Sequence, residues 1–465
     1  MSRLNRHLLA LCATLLFAPQ TLRSQQQPLA IIGATIIDGT DAAPLTDGVV
    51  LVRGGRIVAK GARSSVAIPH GARRVDVEGM WVVPGFIDMH SHLAIGTWEP
   101  DTGNGRRGGL RYNYDDAATR ALSAAQWRFG ITTIRNPAGP TAEALRLRTR
   151  VRLGELQGPR IFTAGAPLDA FAQGNAQVAV TTDSAVRAEV NRQAGQGVDV
   201  IKLYAGLRPP LVKAGAEAAH ALGLRVVLHA WLTSWTDAAR AGVDAVTHIS
   251  PGSADLLPAS SRAEFRQGIR GTQFLFDWFR YVDPAGTEIR EMLQEMRAHG
   301  VSVDPTLVAM EQLAWGDDSL HFPAESRAQI PASLRSKPAA EQVLTTGWTP
   351  SDFSRARDVW PRILSFTRQL YESGVMLTAG TDGANPWFLH RELELLAAAG
   401  IPPAEVLKIS TRNAARALGV SSELGTIEVG KLADLVVLRA NPLVDIRNTR
   451  SIVFTIQNGT VRSVR

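Results

Sequence analysis

An α/β fold, a (β/α)8 TIM-like barrel beside a small β-sandwich domain, is predicted by three features of this 465-residue sequence. Between Pro84 and Leu418, short Val/Ile/Leu-rich runs alternate with Ala/Leu/Arg-rich stretches, the pattern of parallel strands joined by helices. The strand-like runs number eight, which favours closure into a barrel. On either side of this region the texture changes to β-branched runs broken by Gly- and Asp-containing turns.

Residues 1–24 have the pattern of a secretory signal peptide. Arg3 and Arg6 give a charged start, and Leu8 to Ala18 form an 11-residue apolar core, too short to span a bilayer. Cleavage near Ser24 would leave a periplasmic or secreted chain with no stable membrane anchor; a retained N-terminal anchor is the alternative. Cys12 lies in this apolar core and is the sole cysteine, so a mature chain would have neither disulfides nor thiolate ligands. Its charge would fall from +7 to +4, because residues 1–24 carry three Arg and no acid.

Residues 28–83 then read as the first part of the β-sandwich, through LAIIGATIIDG, VVLVRGGRIVAKG and RRVDVEGMWVV, with Gly54-Gly55 as a hairpin turn. Residues 84–418 are assigned to the barrel. Its strands fall near FIDMHSH, ITTIRNP, RIFTAGA, DVIKLYA, RVVLHAW, DAVTHIS, VSVDPTL and VMLTAGTD. Residues 419–465 return to short β runs and complete the sandwich. Two connections are long: Ile95 to Tyr114, with a mobile-looking GNGRRGG, and Met310 to Ser373, with three tryptophans. Long βα loops on a barrel build a pocket or a lid. A helical surface insertion or a homo-oligomer contact is the plainer reading.

Hydrophobic content of 45% and charged content of 20% are ordinary for a globular chain able to bury a large core. The most basic stretch, Leu145 to Val151, alternates with apolar residues as a helix surface would, and no basic patch is interleaved with aromatics. Nucleic acid is therefore not an expected partner; a small-molecule substrate is.

Six residues at the ends of the strand-like runs fit a two-metal hydrolytic site: His90, His92, Lys202, His229, His248 and Asp382. His90 and His92, two apart on a strand, point to one face and can chelate an ion. Lysine is scarce, 6 of the 50 basic residues, and Lys202 alone lies within an apolar strand-like run, where an ammonium is poorly solvated. Carboxylated by carbon dioxide, it becomes an anionic ligand able to bridge two divalent ions such as zinc. His229 and His248 then hold the second ion; singly, each reads as a satisfied core histidine. Asp382 can ligate the first ion, take a proton from a bridging water as its hydroxide attacks, and deliver it to the leaving amine. Tyr204, two residues beyond Lys202, is a candidate donor to the substrate. Arg106 and Arg107 are either solvent-exposed or available to a substrate carboxylate.

These residues resemble the amidohydrolase superfamily, in particular its members with a dinuclear site bridged by a carboxylated lysine. PGFIDMHSH is similar to the family's first-strand motif, GTDGAN to its last, and NAARALGVSSELGTIEVGKLADLVVL to its return from barrel to sandwich. HRELELLAAAGIPPAEVLKIS, with VDPTL upstream, resembles the imidazolonepropionase-like and Xaa-Pro dipeptidase-like branch. The resemblance implies the same six ligands, with Asp382 as proton shuttle. Departures are Arg135-Asn136 where Arg-Asp is frequent, Ile249 where Gly is frequent, and Leu232 where mononuclear deaminases carry Glu.

The expected activity is hydrolysis of an amide C–N bond in a dipeptide or N-acyl amino acid. A lactone or other ester is the alternative on the same site. A mononuclear deaminase and a non-catalytic binding relative are further readings; the full ligand set and Leu232 weigh against them.

Overall fold

The computed structural model describes residues 27–94, 96–100, 110–171, 176–335 and 340–463. The expected signal peptide, Arg106 and Arg107 lie outside them. Among the described residues no helix is long and apolar enough to cross a membrane.

Segments from both ends of the chain share one eight-stranded sheet. Its order is Thr460–Ser463, Ile452–Gln457, Leu435–Leu438, Trp81–Pro84, Leu29–Ile36, Leu45–Arg53 and Arg56–Ala62, with Arg73–Asp76 also alongside Leu29–Ile36. The antiparallel register of Leu435 on Pro84 and Leu438 on Trp81 joins the late segment to the early one. Alternation in Leu29–Ile36 sends Leu29 and Ile31 into one apolar cluster and Ala30 and Ile32 into another, on the opposite face. Gly54 and Gly55 form the predicted hairpin turn at φ +58° and +81°, values that L side chains resist.

The eight parallel strands predicted between these segments are all present: Phe86–Asp88, Ile131–Asn136, Arg160–Thr163, Val200–Leu203, Arg225–Leu228, Ala245–Thr247, Ser302–Asp304 and Met376–Leu377. The first three form one sheet and the last five the body of another. Isolated parallel bridges, Ala164 with Val200 and Ser91 with Gly383, connect the sheets at both seams. Some helices between the strands begin on side-chain caps, as at Thr182, whose hydroxyl accepts from Ala185, and Ser234, which accepts from Asp237.

Alternation within these strands orients the interior. Ile201, Leu203, Val226, Leu228 and Val246 join the large cluster shared with the helices. Val200, Val227 and Ala245 form a separate small cluster with Ala164. Two residues on, on the same face, come Lys202, His229 and Thr247.

Where described, the connection from Met310 to Ser373 is made of helices joined by turns, among them Pro350–Asp358 and Trp360–Glu372 and the end of Leu307–Ala314. In the first long connection, Gly96–Pro100 and Leu110–Tyr114 pair as an antiparallel hairpin.

Candidate metal centre

The first strand ends at Asp88, four residues sooner than the sequence reading placed it, so His90 and His92 lie beyond it rather than on it. Asp88 itself explains the break. Its buried carboxylate accepts from the His90 amide at 3.0 Å and from the Thr381 hydroxyl at 2.8 Å, clasping the first strand to the segment after the eighth. Met89 donates its amide to Ala379 at 2.8 Å, and Asp382 donates its own to His90 at 2.7 Å. Backbones come this close because residue 380 is glycine: a Cβ there would lie 2.6 Å from that of His90.

The clasp brings His90, His92 and Asp382 together. Asp382 Oδ1 lies 3.1 Å from His90 Nε2 and 3.0 Å from His92 Nε2. Its other oxygen, Oδ2, is 3.8 Å from His248 Nδ1. The His229 ring is 4.5 Å from that of His248 and 4.7 Å from that of Tyr204, centroid to centroid. Lys202 is 2% exposed and its Nζ lies 3.3 Å from Thr247 Oγ1. Five predicted residues thus form one chain of contacts with Tyr204, and Lys202 sits on the same inner face.

Backbone conformation re-aims three side chains here. Asp382, His248 and Thr306 all have positive φ, at 54°, 67° and 46°. Strict alternation would turn His248 away from the face that Thr247 occupies; the left-handed turn brings it back. For non-glycine residues this conformation costs about 1–3 kcal/mol each and is concentrated at functional sites.

Behind the histidines lie residues that the sequence reading did not assign. Asp304, fully buried at the end of the seventh strand, approaches His90 Nδ1 at 2.6 Å. Arg135, from the second strand, donates to Asp304 at 3.0 Å and to the Met89 carbonyl at 2.7 Å. Thr306 Oγ1 stands 2.8 Å from His248 Nδ1. With Nδ1–H given to these oxygens, Nε2 is the ring atom left to bind an ion, and on His90 it faces Asp382 Oδ1. VSVDPTL was read as a strand, and its position parity with the other strand ends was the signal that Asp304 points inward.

Electrostatics divides the site. Burial opposes protonation of His90, but Asp382 and Asp304 outweigh it and hold its pKa above the ordinary value. Burial would raise Asp382, yet the imidazoles pull it well below the usual carboxylate range. On the other side, burial and then Lys202 push His229 down to about 3. Burial takes Lys202 down to about 7, so its amine is substantially neutral near neutrality. Burial also raises the Tyr204 hydroxyl, which stays protonated as a donor.

The donor set fits a divalent ion. Among the described residues, potential ligand atoms of His90, His248 and Asp382 lie within 4.8 Å of one another. Imidazole with carboxylate, backed by an oxygen on the far ring nitrogen, is the donor chemistry of zinc and its neighbours.

Sequence comparison matches residues 81–464 to the Amidohydrolase family. A 5-methylthioadenosine/S-adenosylhomocysteine deaminase from Symbiobacterium thermophilum is 25% identical over 438 residues, covering 89% of this chain and 85% of the relative. An imidazolonepropionase from Pseudomonas savastanoi pv. phaseolicola is 25% identical over 411 residues, covering 84% of this chain and 87% of its own length. Among solved structures, a Xaa-Pro dipeptidase with bound methionine in the active site superposes with a TM-score of 0.68 at 21% identity, covering 94% of this chain and 100% of that chain. That last likeness is one of fold.

Proposed function

This chain belongs to the amidohydrolase family, and from that premise we propose that it hydrolyses an amide C–N bond in a small molecule of the dipeptide or N-acyl amino acid type. The observation that carries the reading is the meeting of His90 Nε2 and His92 Nε2 on one oxygen of Asp382, with His248 facing the other. The eight parallel strands, read as closing at the two bridged seams, would surround this point.

In this reading His90, His92 and Asp382 would hold one divalent ion, His229 and His248 would hold a second, and a carboxylated Lys202 would add the anionic ligand. Such ions supply Lewis acidity, polarising the scissile carbonyl and making water acidic enough to attack near neutrality. The protein's own groups manage protons and position. Asp382 Oδ1 is committed to the two imidazoles, which leaves Oδ2 to take the proton of the attacking water and deliver it to the departing nitrogen. The water oxygen bonds to the carbonyl carbon, the C–N bond breaks, and an acid and an amine leave. Tyr204, beside His229, donates to the substrate carbonyl or carboxylate. A neutral Lys202 amine is the species that reacts with carbon dioxide, and its lowered pKa supports that step.

The deaminase relative favours a second reading, in which the same attack releases ammonia. Leu232, 40% exposed, offers no acid where the sequence resemblance expects a deaminase to carry Glu. Metal analysis with a panel of dipeptides, N-acyl amino acids, lactones and amino-purines separates these. Acid plus amine release, abolished by chelator, is expected. Ammonia without acid would move the assignment to deamination, and lactone turnover alone would move it to ester chemistry.

The proposal includes export, from the Arg3/Arg6 start and the apolar core Leu8 to Ala18. N-terminal sequencing of secreted material should begin beyond Ala18. An intact soluble cytoplasmic chain starting at Met1 would overturn it.

A further inference from the structure

One buried acid lies outside the chemistry described so far. Glu392, on the helix Trp387–Ala398, is 0% exposed. Its Oε2 accepts from the Val308 amide at 2.8 Å, and the Leu307 amide also donates to its carboxyl group. Its Oε1 has no hydrogen-bond partner among the described residues.

The helix Leu307–Ala314 explains why a carboxylate is there. The first amides of a helix have no partner within it, and a threonine just before the helix ordinarily caps them. Thr306 occupies that place but makes no side-chain cap. Its hydroxyl is turned to His248 Nδ1, and its backbone is left-handed. Glu392, 84 residues along the chain, fills the vacant role. Besides the Arg135 bond to Asp304 and the His248 amide on the Asp304 carbonyl, the turn from 304 to 308 has three attachments that bear on the site. Asp304 holds His90, Thr306 holds His248, and the amides of Leu307 and Val308 are tied to Glu392.

We propose that Glu392 is a positioning residue, which by anchoring the 304–308 turn fixes the Nδ1 contacts of both His90 and His248. The proposal rests on the metal-site reading above, since its purpose is to leave the two Nε2 atoms aimed at an ion. An acid with one unpaired buried oxygen destabilises a fold, so capping a single short helix is a weak reason for it to be there.

Burial pushes the Glu392 carboxyl up to about 8, so near neutrality it is largely uncharged, and two substitutions separate reach from acidity. Glu392→Gln retains an acceptor at the right distance and removes the acid. Glu392→Asp keeps the acid but falls one methylene short. Two readouts apply: zinc affinity by chelator competition, and nitrogen-15 histidine spectra of metal-free protein at alkaline pH, where neutral imidazoles report their tautomers. Glu392→Asp should weaken zinc by about ten- to a hundredfold, as loss of ligand orientation does, and should mix the tautomers of His90 and His248. Glu392→Gln should stay within about threefold of the parent and keep Nδ1–H on both rings. Unchanged tautomers in Glu392→Asp, even with a lowered melting temperature, would overturn the proposal and leave a structural cap. If the parent protein binds no zinc, the functional reading fails, while the metal-free spectra still decide whether Glu392 positions the rings.

Discussion

The two sides of the candidate centre are made of opposite materials. On one, His90 and His92 meet Asp382, and Asp304 with Arg135 stands behind His90, so hydrogen bonds fix the groups and carboxylates favour a cation. On the other, Lys202 and His229 stand one step above a cluster of Val200, Val227 and Ala245, where burial disfavours any positive charge. The first side is preorganised for a metal ion by groups the chain already carries. Among the described residues the second offers neutral nitrogen donors and no carboxylate of its own, so in the proposed two-metal reading it would need an acquired anion before sharing two cations. Carboxylation of Lys202 would supply that anion where it is lacking.

The comparison is broken most severely at Asp382, which both sides face. Asp382→Asn should lower kcat/KM by roughly 10³-fold, within the range for loss of a proton shuttle. A loss below about tenfold would remove Asp382 from proton transfer. On the preorganised side, Asp304→Asn should weaken metal binding by about ten- to a hundredfold, with the circular dichroism of the fold retained. Unaltered metal affinity would mean that Asp304 serves packing rather than His90. Tyr204→Phe should have a smaller effect, about tenfold in kcat/KM or 1.4 kcal/mol. An unchanged value would exclude its hydroxyl from the reaction.

The apolar side carries the pH dependence. Lys202 has its pKa lowered to about 7, so its amine is protonated below that value and free above it. Because only the free amine forms a carbamate, reactivation of metal-free enzyme at fixed dissolved carbon dioxide should accelerate as pH rises through about 7. A rate that falls over this range, or ignores carbon dioxide, would contradict the sign.

The parallel strands were legible because a strand covered on both faces reads as a run of consecutive apolar residues, as at Val226, Val227 and Leu228 in Arg225–Leu228. The six candidate ligands were legible for a related reason: polar residues that end such runs have few structural uses. What escaped was held by contacts across sequence distance. Arg135 and Asp304 are 169 residues apart, and neither stretch by itself reveals the pair. The left-handed turns at His248, Thr306 and Asp382 run against side-chain preference and arise from tertiary context. The early end of the first strand at Asp88 has the same origin, since the carboxylate that breaks it binds Thr381. Glu392 was not singled out in the sequence because its partners begin another helix, 84 residues away.

Labelled bicarbonate tests the central claim most directly. Enzyme reconstituted with zinc and carbon-13 bicarbonate should show one carbamate resonance per chain, and Lys202→Ala should lack it together with its second metal ion. Lys202→Ala that keeps about two zinc ions per chain and near-normal turnover would contradict the account, as would parent enzyme that is active and fully metallated without a carbamate signal.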